Sequence, residues 1–338
     1  MKKQVKALVL LSGGLDSMLA VKLLQEQGIE VEGLTFVSYF FNDRAAKKAV
    51  EQLGIKLRVI DFSKEQLAVV KNPRHGYGKN MNPCLDCHIL MLKKAAEIMK
   101  KENSCPERSR RIDFIATGEV LGERPMSQNK QSLAIVEKEA GLKGYLLRPL
   151  SAKLLPPTKP EIEGRVDRDK LSAISGRRRT PQLTLAKKHG LKEFPSPAGG
   201  CLLTDPEFGK RLKKLLEIMP SAGEDDIYLL KYGRHIWSEH FPKEHLPRSD
   251  FGRRGILFVV GRDHEENLII KKLARKNNLL AEAAEIPGPI ILVRNFGKGK
   301  LEKEKIAGQV REFLVKYNRK ARLFKNISVK WIANKKKI

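Results

Sequence analysis

The amino-acid sequence predicts an α/β protein, with a parallel-sheet domain followed by a second, smaller basic α/β domain. Three observations lead there. Strand and helix signals alternate through roughly the first 120 residues, as a parallel sheet with helical crossovers requires. The chain has 338 residues, 41% of them hydrophobic, which is enough to fill two cores. After about residue 220 a second set of strand and helix signals begins.

The elements follow in order. Residues 5–11 (VKALVLL) are a nearly continuous apolar run, as a strand covered on both faces needs. Residues 17–27 place Met18, Leu19, Val21, Leu23 and Leu24 at helical spacing. Residues 31–37 read as a second strand, 43–53 as a helix stopped by Gly54, and 56–61 as a third strand. A Gly/Pro/Asn-rich loop covers 71–83. A helix is predicted to start between Cys84 and Cys87 and to run through Ile98, and 113–117 reads as another strand. The polar stretch 103–111 reads as an exposed loop, and its Cys105 has no partner pattern.

Residues 149–197 look irregular, with seven prolines. Within them, 153–192 holds eleven Lys/Arg and four Asp/Glu, a net +7, which suits a linker or a substrate-facing loop. Residues 200–204 close the segment before a basic helix at 206–218. The first domain is therefore drawn over 1–205, with 153–197 as its basic irregular part, and the second over 220–338. In the second, 255–261 (GILFVVG) and 288–293 read as strands, and 265–277 and 302–317 as helices. Residues 319–338 carry eight Lys/Arg and no acid, with Phe324 and Trp331 among them. No internal repeat is visible.

Lys and Arg total 66 against 39 Asp and Glu, a formal net charge of +27. Such an excess points to a polyanionic partner, nucleic acid or an anionic membrane surface; an acidic small molecule alone would not need it. The longest apolar run near the start is too short to span a bilayer, and no signal-peptide cleavage site follows it. An intracellular, cytoplasmic protein without a membrane partner is expected. Four cysteines in a chain of this length are not a disulfide scaffold, so a Cys-x-x-Cys pair points to metal, redox or sulfur chemistry.

Ser12-Gly13-Gly14-Leu15-Asp16-Ser17 lies between the first strand and the first helix. The glycines let the backbone bend close to an anion. The helix N-terminus then turns free N–H groups and its positive dipole end toward that anion. Ser12 and Ser17 add hydroxyls, and Asp16 beside phosphate suggests a Mg²⁺ ligand. The segment matches neither the Walker pattern nor G-x-G-x-x-G. SGGLDS resembles the pyrophosphate loop of the adenine nucleotide alpha-hydrolase (PP-loop) ATPases. That resemblance implies ATP cleaved between its α and β phosphates and a carbonyl oxygen adenylated. It also implies adenine near Phe36 and a second nucleotide contact at Thr117-Gly118, both at strand carboxyl ends.

Asn82-Pro83-Cys84-Leu85-Asp86-Cys87-His88 is the second constellation. Cys87 is read as beginning a helix, where a thiol is more acidic, with Lys79, Lys93 and Lys94 nearby in sequence. Structural zinc on Cys84, Cys87, His88 and a distant group, a redox disulfide, and sulfur or cluster chemistry all remain open. The last needs a third thiol, which Cys201 after Gly199-Gly200 offers; a buried structural Cys201 is the plainer alternative.

Loop and cysteines together resemble the tRNA thiouridine synthases, above all the tRNA 2-thiouridylase family. There an Asn-Pro-Asp-x-x-Cys segment carries the nucleophile and a later cysteine carries a persulfide. Asn82 and Pro83 match, Cys84 replaces the Asp, Cys87 takes the nucleophile position and Cys201 the persulfide position. Ala116-Thr117-Gly118 is similar to the family's Ala-Thr-Gly-His, with Glu119 in place of His. Other synthases of the superfamily hold a [4Fe–4S] cluster on a Cys-x-x-Cys pair plus one later cysteine, a pattern Cys84, Cys87 and Cys201 fit. The resemblance covers roughly residues 1–205, without the family's β-barrel or RNA-capture domains.

Residues 231–235 (KYGRH) and 261–267 (GRDHEEN) resemble RNA-binding domains of the NFACT type, with His235 and His264 also readable as ordinary structural histidines. The implied function is ATP-dependent sulfuration of a tRNA uridine. ATP and Mg²⁺ would be cofactors, with a [4Fe–4S] cluster in one version. A cysteine desulfurase, relay protein or sulfide would supply the sulfur. Cys87, Cys201 and Asp16 would carry the chemistry, and Ser12, Gly13, Gly14, Asp16, Ser17, Phe36 and Gly118 would bind ATP. The rival readings are another PP-loop ligase or amidotransferase-like enzyme, and a non-catalytic ATP-sensing RNA-binding protein.

Overall fold

The computed structural model describes residues 4–107, 111–196, 200–238, 255–296, 301–324 and 327–333. The chain divides into two compact units, Met1–Thr204 and Asp205–Ile338.

The first unit holds a five-stranded parallel sheet made of β1 (Lys6–Leu10), β2 (Glu30–Val37), β3 (Lys56–Asp61), β4 (Phe114–Thr117) and β5 (Leu146–Leu147), in the order β3-β2-β1-β4-β5. Its helices are α1 (Leu15–Gln25), α2 (Arg44–Leu53), α3 (Ser63–Lys71), α4 (Cys84–Asn103), α5 (Lys130–Glu139), α6 (Lys159–Ile162) and α7 (Thr180–Lys188). The central strand explains its own sequence. Ala7 and Val9 join the core formed with α1, α2 and α7, whereas Leu8 joins the core with α4 and α5. From β1 the strand order proceeds to β2 on one side and to β4 on the other. The loops after β1 and β4 therefore flank the crevice where an open parallel sheet binds ligands.

Gly54 ends α2 in the left-handed region at φ 62°, as its placement in the sequence suggests. The helices α3 and α5 carry no strong signal in the sequence and were not anticipated. The segment expected to be irregular is folded. Thr158 caps α6 through a capping box with Glu161, and Val166, Leu171, Ile174, Ala186 and Leu191 enter the α1-side core. Its prolines mark short helical starts and turns around buried apolar residues.

The second unit contains α8 (Pro206–Ile218), α9 (Glu224–Leu229), α10 (His264–Leu273) and α11 (Lys303–Tyr317). Its sheet of β6 (Arg234–Ser238), β7 (Ile256–Val260), β8 (Leu279–Ala283), β9 (Ile291–Asn295) and β10 (Val329–Ile332) runs β10-β8-β9-β7-β6 and is antiparallel throughout. Phe258, Val260, Ile291 and Val293 pack with Ile306, Val310 and Leu314 of α11. Leu257, Val259 and Leu292 pack on the other face with Ile270 of α10 and Leu229 of α9.

The motifs of this unit build its fold. Gly233 donates its N–H to Glu266 Oε2 at 3.1 Å, and a Cβ there would stand 2.7 Å from Val259 Cγ1. Asp263 caps α10, while Asn267 accepts from the Ile290 N–H and donates to the Gly288 carbonyl. His235 Nε2 lies 2.9 Å from the Tyr232 carbonyl, and burial drives its pKa down to about 4, so it is a neutral structural histidine.

Candidate active site

The glycine loop has the predicted placement. Among the described residues no side chain caps α1, so the first N–H groups of that helix face the crevice unfilled. Ser17 Oγ donates to the Gly14 carbonyl at 2.8 Å and stands 3.4 Å from Ser12 Oγ, which orders both hydroxyls at the loop. The three glycines do different work. Gly13, at φ 80°, lies so close to the start of α2 that a Cβ would stand 2.2 Å from the Ala45 carbonyl carbon. Gly118 presses on the turn into α1, where a Cβ would stand 2.4 Å from Ser17 N. Gly14 meets only Ser12 Oγ, at 3.4 Å. Packing thus accounts for Gly13 and Gly118, and the open cradle is at Gly14. The Phe36 ring is buried against Phe62, with centroids 5.0 Å apart, so its side chain belongs to the core.

Asp16 faces a polar group assembled from two later segments. Burial raises its pKa, opposed by Arg179, Gln182 and Arg124. Its Oδ1 is buried without a hydrogen-bond partner among the described residues. An unpartnered buried carboxylate oxygen beside an open helix end fits Mg²⁺, which takes one or two carboxylates and completes its shell with phosphate and water.

The helix α4 starts at Cys84, one turn earlier than the reading that made Cys87 its first residue. Pro83 precedes it without a side-chain cap. Asp86 fixes the preceding loop by accepting the His75 N–H at 2.9 Å and by pairing with His75 Nδ1 at 2.8 Å. His88, one turn along, hydrogen-bonds the Cys84 sulfur. Burial opposes ionisation of Cys84, but His88 outweighs it and brings the thiol down to about 7. Behind His88, its Nδ1 meets Glu119 Oε1 at 3.0 Å, while Arg148 Nε and Thr117 Oγ1 each donate to Glu119 Oε2 at 3.0 Å. Burial works against the Glu119 charge, yet Arg148 and His88 hold it down to about 2. The same two neighbours, thiol and carboxylate, keep His88 protonated. The Glu that replaces the expected His is thus the support of a Cys84–His88–Glu119 chain.

Cys87 is buried, with Gln66 Nε2 donating to its sulfur at 3.4 Å, and burial pushes it up to about 12. Cys201 is pushed up to about 11 by burial. Its turn is tied down by Leu202 N donating to the Phe40 carbonyl at 3.1 Å and by Asn80 Nδ2 donating to the Thr204 carbonyl at 2.7 Å. Gly199 lies outside the described residues, and Gly200 meets nothing that demands a glycine. The three thiols stand within electrostatic reach of one another, since the charges of Cys84 and Cys201 raise Cys87 and that of Cys84 raises Cys201. The Arg124 charge acts on Cys84 and Cys201 and also on Asp16, so thiols and loop share one region. Cys105 has no part in it. Three thiols are suitable donors for a thiolate-held cluster in kind. Among the described residues, however, no three His, Cys, Asp or Glu side chains stand at metal-holding geometry, and no step below passes through a cluster.

The sequence alone does not single out Arg124, Arg148, Arg179 or Gln182, and it gives Glu119 no role beyond replacing a His. The GRRRTPQ run at 176–182 lies in the basic segment that suits a linker or a substrate-facing loop.

Residues 2–154 match the family model described as Thiamine biosynthesis protein (ThiI). The chain is also similar to named RNA-modifying proteins. It is 31% identical over 154 residues to a probable tRNA sulfurtransferase of Anoxybacillus flavithermus, covering 43% of this chain and 35% of that one. It is 30% identical over 146 residues to the tRNA-specific 2-thiouridylase MnmA of Campylobacter curvus, covering 40% and 43%. A longer, weaker likeness links it to MnmA of Caldicellulosiruptor saccharolyticus, 24% identical over 316 residues, covering 84% and 78%. The first two matches thus span about two fifths of those relatives' length or less. The family-model match lies within the first unit.

Proposed function

We propose that this protein uses ATP to replace a carbonyl oxygen of a tRNA uridine with sulfur. The observation that supports this most directly is convergence. An open phosphate loop and three thiols from two distant segments meet around the charge of Arg124. The names carried by the matched relatives, tRNA sulfurtransferase and tRNA 2-thiouridylase, agree with it.

The reaction follows from the groups present. ATP lies on residues 12–17, with its phosphates against the open end of α1. Mg²⁺, held at Asp16, would neutralise phosphate charge. The uridine oxygen attacks the α-phosphorus, the bond to the β-phosphate oxygen breaks, and pyrophosphate leaves. The outer sulfur of a persulfide on Cys201 then adds to the activated carbon. A neighbouring thiolate attacks the inner sulfur of Cys201, the sulfur–sulfur bond breaks toward the uridine, and AMP departs with the original oxygen. Cys84 is the thiol ionised near neutral pH, so it makes this attack, with buried Cys87 next in line. The product disulfide is reset by a thiol reductant, and Cys201 is reloaded by a persulfide donor. Holding both reactants in one place supplies much of the acceleration. The second unit, with the basic segments, gives RNA affinity, as the NFACT-type likeness suggests.

Nucleoside mass spectrometry tests the reading. The protein is incubated with tRNA, ATP, Mg²⁺, a persulfide donor and a thiol reductant. Thiouridine, AMP and pyrophosphate are expected together. AMP formation with an amine acceptor and no thionucleoside would assign it to ligase chemistry, and no AMP with RNA bound would make it an ATP sensor. Iron and acid-labile sulfide after anaerobic purification would replace the persulfide route with a cluster.

A further inference from the structure

Four buried polar atoms beside the phosphate loop find no hydrogen-bond partner among the described residues. They are Asp16 Oδ1, Arg179 Nε and both amide atoms of Gln182. Buried polar groups are nearly always paired, so four such atoms around one open helix end point to a polar ligand. Gln182 is 0% exposed, on the second residue past the start of α7. It sits beside the Asp16 carboxylate closely enough to favour its charge as a donor, while Asp16 Oδ1 and both Gln182 amide atoms have no partner at full hydrogen-bond geometry among the described residues. The helix α7 is locked in place: Ala186 and Leu191 pack in the same core as Met18 and Leu19 of α1. The charges alternate as well. Arg179 and Arg124 act on both Asp16 and Glu123, and Asp16 also acts on Glu123.

We infer that Arg179 and Gln182 complete the seat of the pyrophosphate leaving group, opposite the glycine loop, with Asp16 and Glu123 facing the divalent cation that accompanies it. This rests on reading the unit as an ATP pyrophosphatase. A fork of guanidinium donors and a carboxamide N–H suit phosphate oxygens, while two carboxylates alone would repel them. The amide oxygen of Gln182 is left to face a water on the cation. Within the basic segment 153–192, Arg179 and the fully buried Gln182 thus serve the leaving group.

The test uses the full chain with Mg²⁺ and inorganic pyrophosphate, and separately AMP, titrated by calorimetry. Arg179→Ala and Gln182→Leu should each weaken pyrophosphate binding at least tenfold and leave AMP binding within twofold. Gln182→Leu keeps the volume and removes two unpaired atoms, so the apoprotein should melt no lower than wild type; a structural glutamine would give a lower melting point. Equal loss of AMP and pyrophosphate, or unchanged pyrophosphate affinity, would overturn the assignment. Wild-type protein binding neither ATP nor pyrophosphate would instead overturn the ATP reading on which it rests.

Discussion

His88 Nδ1 lies 3.0 Å from Glu119 Oε1, which ties the second turn of α4 to the segment just after β4. The imidazole is thereby held protonated beside Cys84, and the thiol titrates at about 7 where an ordinary one titrates at 9.0. Cys84 should therefore be the first cysteine to react with iodoacetamide, with a rate that rises through pH 7 and then levels. In His88→Ala burial is opposed only by Ser127 and Arg124, and the midpoint should move upward. Cys87 and Cys201 should stay slow below about pH 10, since burial raises both. Peptide mapping of alkylated protein across pH reads this; equal labelling of the three at pH 7 would refute it.

Glu119 tests the support behind that pair. Its folded pKa is about 2 and its ordinary value is 4.5, so its contribution is complete above 4.5 and is lost as pH falls toward 2. Glu119→Gln takes the nearer carboxylate from Arg148, 3% exposed in its side chain, and leaves it Glu137 Oε2 at 3.2 Å. A loss of about 1.5–3 kcal/mol at neutral pH is expected from removing one charged hydrogen-bond partner. Urea unfolding at pH 7 and pH 3 should show the gap between variant and wild type shrinking at the lower pH.

The glycines separate packing from binding. Gly13→Ala and Gly118→Ala put a Cβ within 2.4 Å or less of backbone atoms, so both should lower the melting temperature and disturb the loop. Gly14→Ala meets only a serine hydroxyl at 3.4 Å and should melt close to wild type while binding ATP more weakly. Melting curves alongside ATP titration check the contrast.

Local patterns made the parallel sheet legible. A continuous apolar run at β1, a glycine stop after α2 and glycines before α1 each have a local cause. Pairing direction has no such signature, so the antiparallel second sheet was hidden behind ordinary strand and helix signals. The candidate site was half legible for the same reason. Ser12 to Ser17 and Cys84 to Cys87 are contiguous, whereas Glu119, Arg148, Arg179 and Gln182 matter only because the fold brings them to Cys84 and Asp16. Phe36, near which the resemblance places adenine, has its ring packed against Phe62, a contact no local pattern announces.

Asp16→Asn should abolish AMP formation and raise stability at neutral pH. Burial raises the Asp16 pKa, so ionising it costs more in the folded state, and that cost is absent at low pH, where both states are protonated. The melting temperature should rise by roughly 2–4 °C for each kcal/mol relieved, and the gain should fade as pH drops below the ordinary carboxylate range. A variant with wild-type AMP production would remove Asp16 from the chemistry; one less stable at pH 7 would remove the burial argument.

The basic C-terminal segment needs a gentler truncation than its composition suggests. Removing 319–338 would strip β10 from the sheet edge and take Ala321 and Ile327 out of the core, so lost RNA binding would only report unfolding. Ending the chain at residue 333 removes Lys335, Lys336 and Lys337 and spares both. If these lysines each meet a phosphate, the slope of log affinity against log salt should become shallower by about 0.7–0.9 per contact, about 2–3 in all. ATP binding should not change, because the phosphate loop belongs to the first unit. Filter binding of tRNA between 50 and 300 mM salt measures the slope, on the order of conditions where counterion release dominates. An unchanged slope would move the electrostatic footprint to Lys153, Lys170, Lys187 and Lys192, where paired Lys→Gln variants would then carry the loss.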